Sequence, residues 1–322
     1  MKILHLVLYN PSPQYDAMYQ ITKPWYEEWS RQGVDTFYYF YDPYIKEPHI
    51  CKNTMTLRLP GTETYYPGIL MKTLDAFALF AKDGFDFIVR SNISSPINFS
   101  VLIQMLKPLP PQCLFYGGPH IIDPYLVETQ KNNPLVLAQG KMNFVHGTCI
   151  ILNPNSLEFI LAKRSELETT VEDDLSFGLL FARYKQLPVR VGGQFAFFNS
   201  SHNLDFAVTF RNHNVGSTRE CDIDAIEHQV TTLFQRYVFL KTKQPVTRVM
   251  YADVDVTKKL VERCANGYWT TQQTNAELDV VFGDPKPNVF KNMTIFFKSG
   301  DREFKQRCTL TFQVKDNQLW VY

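Results

Sequence analysis

The stretch Phe85–Asn98, FDFIVRSNISSPIN, decides the fold, because a short apolar run there ends abruptly in a cation and small polar residues. Phe85–Val89 is too short for a helix and apolar throughout its end, which is how a strand buried on both faces reads. Arg90, Ser91 and Asn92 stand at its carboxyl end, and a helical pattern then runs over Pro96–Leu106. Strand, polar end and helix form the repeating unit of a mostly parallel sheet, in which ligands bind beyond the carboxyl ends of the strands.

The same unit recurs on either side. Ile3–Tyr9 reads as a buried strand. Asp16–Arg31 reads as a helix, with Met18, Ile21, Trp25 and Trp29 at three- to four-residue steps, an interruption at Pro24 and a stop at Gly33. Val34–Tyr41 and Thr56–Leu59 are further strands, and Tyr66–Lys82 a helix with Pro67 in its first turn. Cys113–Tyr116 and Phe144–Leu152 follow as strands, and Ser156–Arg164 as a helix capped by Asn155 or Ser156. The fold class expected is α/β, a mostly parallel sheet flanked by helices. The Gly117-Gly118 turn joins Tyr9, Asn10 and the Arg90–Asn92 strand end at the expected site.

After about residue 240 the texture changes. Val246–Asp255, Glu277–Phe282, Asn292–Lys298, Cys308–Val314 and Gln318–Tyr322 alternate or run apolar between Asn-Gly, Gly-Asp-Pro and Ser-Gly-Asp turns, and only Val256–Cys264 looks helical. Two domains are therefore expected, an α/β domain over 1–240 and a small β-rich domain over 241–322. A chain of 322 residues accommodates both. Gly283-Asp284-Pro285 is a tight turn that explains itself without function.

Composition narrows the classes of function. The 33 basic and 32 acidic side chains leave a net charge of +1 with no basic stripe, so nucleic acid is not an expected partner. The six cysteines show no CxxC spacing, and Cys113 and Cys149 lie in apolar runs as free thiols. No apolar run is long enough for a membrane span and the first residues lack a signal-peptide pattern, so a cytoplasmic protein is expected. Aromatics reach 14%, which suits both a β-rich core and a carbohydrate site, because sugar C–H faces stack on aromatic rings.

Two constellations carry chemistry. In Glu63–Leu74, ETYYPGILMKTL, an acid, a small residue and a tyrosine precede Lys72-Thr73-Leu74, and the Arg90–Asn98 strand end follows. In Val171–Leu179, three adjacent acids, Glu172, Asp173 and Asp174, precede Leu-Ser-Phe-Gly, with His146-Gly147 upstream. This pattern resembles the inverting glycosyltransferases of the β1,3-galactosyltransferase and Fringe type, which have the GT-A fold. Lys72–Leu74 matches their "KTL" element, Arg90-Ser91 the Lys-Thr before their Asp triplet, and Asn98 the Asn that closes that motif. Glu172–Gly178 matches "PDDMTLG", whose second carboxylate is the general base, so the resemblance implies Asp174 as base with Asp173 beside it.

The resemblance, with the strand-end rule, implies a nucleotide-sugar donor, a UDP-sugar, over Tyr9, Asn10, Lys72, Arg90, Ser91, Asn92 and Arg211. It implies a glycan acceptor at Gly117, Gly118, His146 and Gly147. Arg211 follows from Thr209-Phe210-Arg211, which matches a family "HYR" element without its His; His202 and His213 are the nearby alternatives. The family's Asp triplet binds Mn²⁺ or Mg²⁺, but Asn92, Ile93 and Ser94 stand there without a carboxylate. Hard cations require anionic oxygens, so metal dependence is expected to be weak or absent, with Lys72 and Arg90 supplying positive charge. For each residue a structural alternative stays open: Arg90 paired with Asp86 or another acid, the acid cluster as a helix N-terminus, His146 as a strand residue. The rival functions are a non-catalytic glycan- or nucleotide-binding protein with a degenerate site and a structural protein assembling through its β tail.

Overall fold

The computed structural model describes residues 1–108, 114–122, 143–191, 208–210, 212, 219–242, 245–264, 268–270, 282–283, 293–297, 300–304, 311–315 and 318–321. The chain divides into two compact units, Met1–Thr231 and Thr232–Tyr322.

The first unit is α/β. Its strands are β1 (Ile3–Leu8), β2 (Val34–Asp42), β3 (His49–Cys51), β4 (Thr56–Pro60), β5 (Phe87–Asn92), β6 (Tyr116–Gly118), β7 (His120–Ile122), β8 (Asn143–Val145), β9 (Ile150–Leu152) and β10 (Val189–Arg190). Its helices are α1 (Pro13–Ser30), α2 (Gly68–Phe80), α3 (Phe99–Leu106), α4 (Pro154–Ala162) and α5 (Asp173–Arg183); α6 (Glu220–Thr242) begins here and contains the division between the units. Eight strands form one mixed sheet in the order β10-β6-β9-β5-β1-β2-β4-β3. The centre is parallel: β1 pairs in parallel with β2 and β5, and β2 with β4. Only β9 and the edge strand β3 run against their neighbours. The chain moves from β1 outward to β2 and β4, then returns to the other side of β1 as β5. The switch point of the sheet, where a crevice forms, therefore lies at the carboxyl ends of β1 and β5.

Both faces are covered, which explains the unbroken apolar runs. On β1, Leu4 and Leu6 share a core with Phe37 and Leu57 from the sheet, Leu74 and Phe77 from α2, Ile160 from α4 and Phe177 from α5. The alternate positions meet α1 and α3: the His5 ring lies edge-on to Tyr26 and Phe99, with centroids 4.7 Å and 5.1 Å away. Trp25, wholly buried, donates its indole N–H to the Ile97 carbonyl at 2.9 Å, tying α1 to the turn before α3. Pro24 sits inside α1, which nonetheless runs unbroken from Pro13 to Ser30.

Several boundaries differ from the sequence reading. The strand expected over Phe85–Val89 is β5, which begins at Phe87 and runs on through Arg90, Ser91 and Asn92, because all six residues pair with Ile3–Leu8 of β1. The single strand expected over Phe144–Leu152 is two, β8 and β9, separated by a turn at Gly147 and Thr148. The α2 helix starts at Gly68 with Pro67 as its cap, and α4 is capped by Asn153, whose side chain accepts the Ser156 N–H at 3.0 Å. That cap serves twice, since it also accepts the Phe115 N–H at 3.1 Å. Cys149 is a buried free thiol, as its apolar run implies, and burial pushes its pKa up to about 12. Cys113 lies outside the described residues.

In the second unit β11 (Pro245–Tyr251), β12 (Val254–Asp255), β13 (Tyr268–Thr270), β14 (Met293–Phe297), β15 (Gly300–Phe304), β16 (Thr311–Lys315) and β17 (Gln318–Val321) pair antiparallel, in the order β13-β16-β17-β11-β14-β15 with β12 on β11. Helix α7 (Thr257–Arg263) follows β12, and Leu260 is buried on it. The β12–α7 junction is fixed by Asp255, which accepts the Thr257 N–H at 2.9 Å and its hydroxyl at 2.6 Å. The expected strand over Glu277–Phe282 lies, apart from Phe282, outside the described residues. Among the described residues no helix is long and apolar enough to cross a membrane.

The α1–α3 face holds one titratable group with a consequence for stability. His5 has no exposed surface; its Nε2 lies 2.8 Å from the Ser91 hydroxyl and its Nδ1 3.3 Å from the Thr36 hydroxyl. Burial lowers its pKa to about 3, against about 6.5 in an unfolded chain. The unfolded chain therefore binds the proton first as pH falls, so the His5 contribution is complete above pH 6.5 and is lost between about 6.5 and 3. Urea titrations across that range are expected to show His5→Gln losing stability less steeply than wild type, by up to about 1.4 kcal/mol per pH unit. Parallel slopes would show that His5 takes up its proton as readily in the fold as in the unfolded chain.

Candidate functional site

The carboxyl edge of the first sheet gathers residues from β1, β2, β5, β6, the β8–β9 turn, α2 and α5. At its centre is Arg90, which is 1% exposed. Its Nη2 lies 2.7 Å from Asp173 Oδ2, and its Nη1 donates to the Gly147 carbonyl at 2.6 Å and to Asn92 Oδ1 at 2.9 Å. Its Nε donates to the Tyr39 hydroxyl at 3.3 Å. The Tyr39 hydroxyl is also 2.8 Å from the Thr73 hydroxyl. One guanidinium thus joins β2, β5, the β8–β9 turn and the first turn of α5. The acid paired with Arg90 is Asp173, across the site, and not the nearby Asp86.

Lys72 repeats the arrangement. It is 1% exposed, and its ammonium donates to both Glu63 oxygens at 2.6 Å and to the Tyr9 carbonyl at 3.0 Å. Burial lowers its pKa, against the opposing pull of Glu63. The ammonium fastens α2 to the end of β1 and to the loop before α2, and Glu63 also accepts the Tyr41 N–H at 2.8 Å. Both cations expected to face a diphosphate are therefore buried and matched inside the protein.

Asp174 behaves differently from Asp173. Both lie in the first turn of α5, where the helix dipole favours carboxylates. Asp173 is buried against Arg90, whereas Asp174 is partly exposed. Asp174 accepts the Gly147 N–H at 2.7 Å and the Leu175 N–H at 2.9 Å. Its partial burial and the neighbouring Asp173 charge raise its pKa to about 6, outweighing those two donors and Arg90. A carboxylate held in place with a pKa near neutrality is equipped to accept a proton.

The other expected residues divide by strand face. Asn92 shares the Arg90 face and accepts from it, whereas Ser91 points to the opposite face and is engaged with His5. Tyr9 is packed among Tyr19, Tyr38 and Phe40, and its hydroxyl donates to Asp16. Asn10, just beyond, is exposed. His146 is buried, and the Thr148 N–H donates to its Nδ1 at 3.1 Å, so Nε2 carries the ring proton. Gly117 and Gly118 end β6 at the same edge, and both are held by close contacts. A Cβ on Gly118, at φ +153°, would lie 2.1 Å from the Cys149 carbonyl oxygen, and one on Gly117 would lie 2.9 Å from that of Val189. Arg211, His202 and His213 lie outside the described residues.

Sequence reasoning missed Glu63, Tyr39 and Thr73 as parts of this network. Glu63 opens the ETYYPGILMKTL motif, nine residues before its partner Lys72, but nothing in the sequence shows that Lys72 is buried and needs an acid. Tyr39 carries no local signal; its place follows only from strand register. The metal implied by the resemblance does not fit here: Asn92 Oδ1 already accepts from Arg90, Ile93 is buried, and the strand end supplies no carboxylate. Among the described residues no group of three His, Cys, Asp or Glu side chains is placed to hold a metal ion.

Gly147 is the position where this geometry is most exposed to mutation. A Cβ there would lie 2.8 Å from Arg90 Nη1 and 3.1 Å from Asp174 Oδ2. Gly147→Ala is therefore expected to displace a buried guanidinium from its partners and to cost about 2–4 kcal/mol in chemical denaturation. Wild-type stability in that variant would show that the β8–β9 turn yields easily.

No protein-family model matches the chain, and no curated protein matches it either.

Proposed function

We propose that the first unit is an inverting glycosyltransferase of GT-A type that moves a sugar from a nucleotide-sugar donor to a glycan hydroxyl, with Asp174 as general base and the β-rich second unit as an accessory domain. The observation that carries this reading is the Asp174 carboxylate: partly exposed at the switch point of a largely parallel sheet, fixed by the Gly147 and Leu175 N–H groups, with a pKa raised to about 6. Inverting transfer needs one carboxylate to take the proton of the attacking hydroxyl as the glycosyl–phosphate bond breaks. A pKa near 6 keeps that base ionised at neutral pH while leaving it more basic than an ordinary aspartate.

The buried network supports the base without touching the reacting atoms. Arg90 holds Asp173 as its counter-ion, and the Asp173 charge raises the proton affinity of Asp174. Because Lys72 and Arg90 are matched by Glu63 and Asp173, they act here as positioning residues. The donor's phosphates, in this reading, meet neutral groups at the strand ends, Asn10 and Asn92. That same internal neutralisation favours a second reading, a glycan- or nucleotide-binding protein without catalysis.

Asp174→Asn separates the two. Its amide must turn an N–H₂ toward one of two backbone donors, so a small loss of stability is expected beside a loss of transfer of about 10²–10⁴-fold. UDP-sugar affinity, measured by calorimetry, is expected to change less than threefold, because the loss lies in the transition state. Asp173→Asn is no control, since it would strand the buried Arg90 charge at about 3–5 kcal/mol. Glu172→Gln removes a neighbouring charge without that penalty. For wild type, kcat/KM is expected to fall tenfold per pH unit below about 6, where Asp174 takes up a proton. Full transfer by Asp174→Asn would remove Asp174 as the base, and a wild type that binds nucleotide sugar and glycan but transfers nothing would leave the binding-protein reading.

A further inference from the structure

We propose that Tyr65 and Tyr66 form an acceptor subsite, an aromatic platform on which a pyranose ring stacks beside the acid cluster; it rests on the glycosyltransferase reading and extends it to residues with no assigned role. The two rings stand on the loop before α2, with Tyr65 62% exposed and Tyr66 42% exposed. Such exposure of neighbouring aromatic rings leaves apolar area in water that burial elsewhere would have stabilised.

The loop is not loose. Glu63 is gripped by Lys72 and by the Tyr41 N–H. Thr64 packs so closely on Gly68 that a Cβ there would lie 2.3 Å from its hydroxyl oxygen. The Tyr66 hydroxyl donates to Glu172, the cap residue of α5 and the immediate neighbour of Asp173. The two rings meet edge to face with centroids 4.5 Å apart, which fixes the plane of each against the other. Three separate anchors hold this pair in the open, and the anchor on Glu172 ties it to the helix turn that carries Asp174.

The chemistry of that juxtaposition selects the ligand. A fixed phenol ring offers a flat apolar face, and carboxylates next to it accept hydroxyl protons. A pyranose presents the matching pair, an apolar C–H face and equatorial hydroxyls. A nucleotide base would also stack, but its phosphates would then meet the partly exposed acids Glu172 and Asp174. The platform therefore suits the neutral acceptor sugar, whose hydroxyl must reach the base, better than the anionic donor.

The test uses the full chain and a printed panel of mono- to tetrasaccharides built from galactose, glucose, N-acetylglucosamine, mannose and fucose, with transfer from UDP-sugars measured in parallel. Tyr65→Ala is expected to raise the acceptor KM, or weaken panel binding, by about tenfold with kcat and UDP-sugar affinity unchanged. Tyr65→Trp is expected to restore both, because it returns a stacking face. Asp174→Asn is expected to keep panel binding. Transfer by Tyr65→Ala and by Tyr66→Ala with wild-type acceptor KM would overturn the subsite and leave the transferase reading intact. Panel binding that depends on Tyr65, without transfer from any UDP-sugar, would keep the subsite and overturn the transferase. A wild-type chain that binds no saccharide of the panel and transfers to none would overturn both.

Discussion

A guanidinium without water must find all its partners inside the protein, and that constraint organises the first unit. Arg90 has five donors and no acceptor, and an unmatched buried charge costs several kcal/mol. Asp173, Asn92, the Gly147 carbonyl and the Tyr39 hydroxyl meet that demand from different elements. Helix α5 must therefore present its first turn to β5, the β8–β9 turn must close over Arg90, and β2 must lie in the register that brings Tyr39 within reach. Glycine is required at position 147 for the same reason: no side-chain carbon fits between the guanidinium and Asp174.

The division of roles between the two aspartates follows from this one contact. They are adjacent, identical in chemistry and in the same helix turn, yet Arg90 takes Asp173 as its counter-ion and leaves Asp174 to two backbone N–H groups. Adjacent acids whose environments differ so sharply are the usual means by which one fold provides both a fixed charge and a proton acceptor. The Tyr66–Glu172 hydrogen bond attaches the exposed tyrosine pair to the same turn.

Much of the parallel sheet is legible in the sequence: the near-continuous apolar run Ile3–Tyr9 and the strands expected over Val34–Tyr41 and Thr56–Leu59 correspond to Ile3–Leu8, Val34–Asp42 and Thr56–Pro60. Other features depend on partners distant in sequence. Arg90, Ser91 and Asn92 read as a strand end because they are polar, but they pair with β1 and alternate faces, which sends Ser91 to His5 and Arg90 to Asp173. The burial of Lys72 and Arg90 was illegible because long cationic side chains are mostly exposed, and nothing local to either names its acid. The turn between β8 and β9 was hidden by the apolar residues on both sides of Gly147. Helix starts differ by two or three residues: α4 is capped by Asn153 and not by Asn155 or Ser156, and α2 begins at Gly68 and not at Tyr66.

Internal neutralisation of the two cations has a kinetic consequence. A field that draws a charged ligand over several ångströms needs unmatched charge, and Lys72 and Arg90 each sit within 3 Å of a carboxylate. Seen from solvent the edge offers two near-cancelled dipoles beside the partly exposed acids Glu172 and Asp174. Encounter with a dianionic ligand therefore proceeds without long-range attraction. Added salt, which slows electrostatically steered association within a Debye length of about 8–10 Å, has little to screen here and mainly weakens repulsion from the acids. The association rate of such a ligand should stay level or rise with ionic strength, the reverse of a site built on open basic residues.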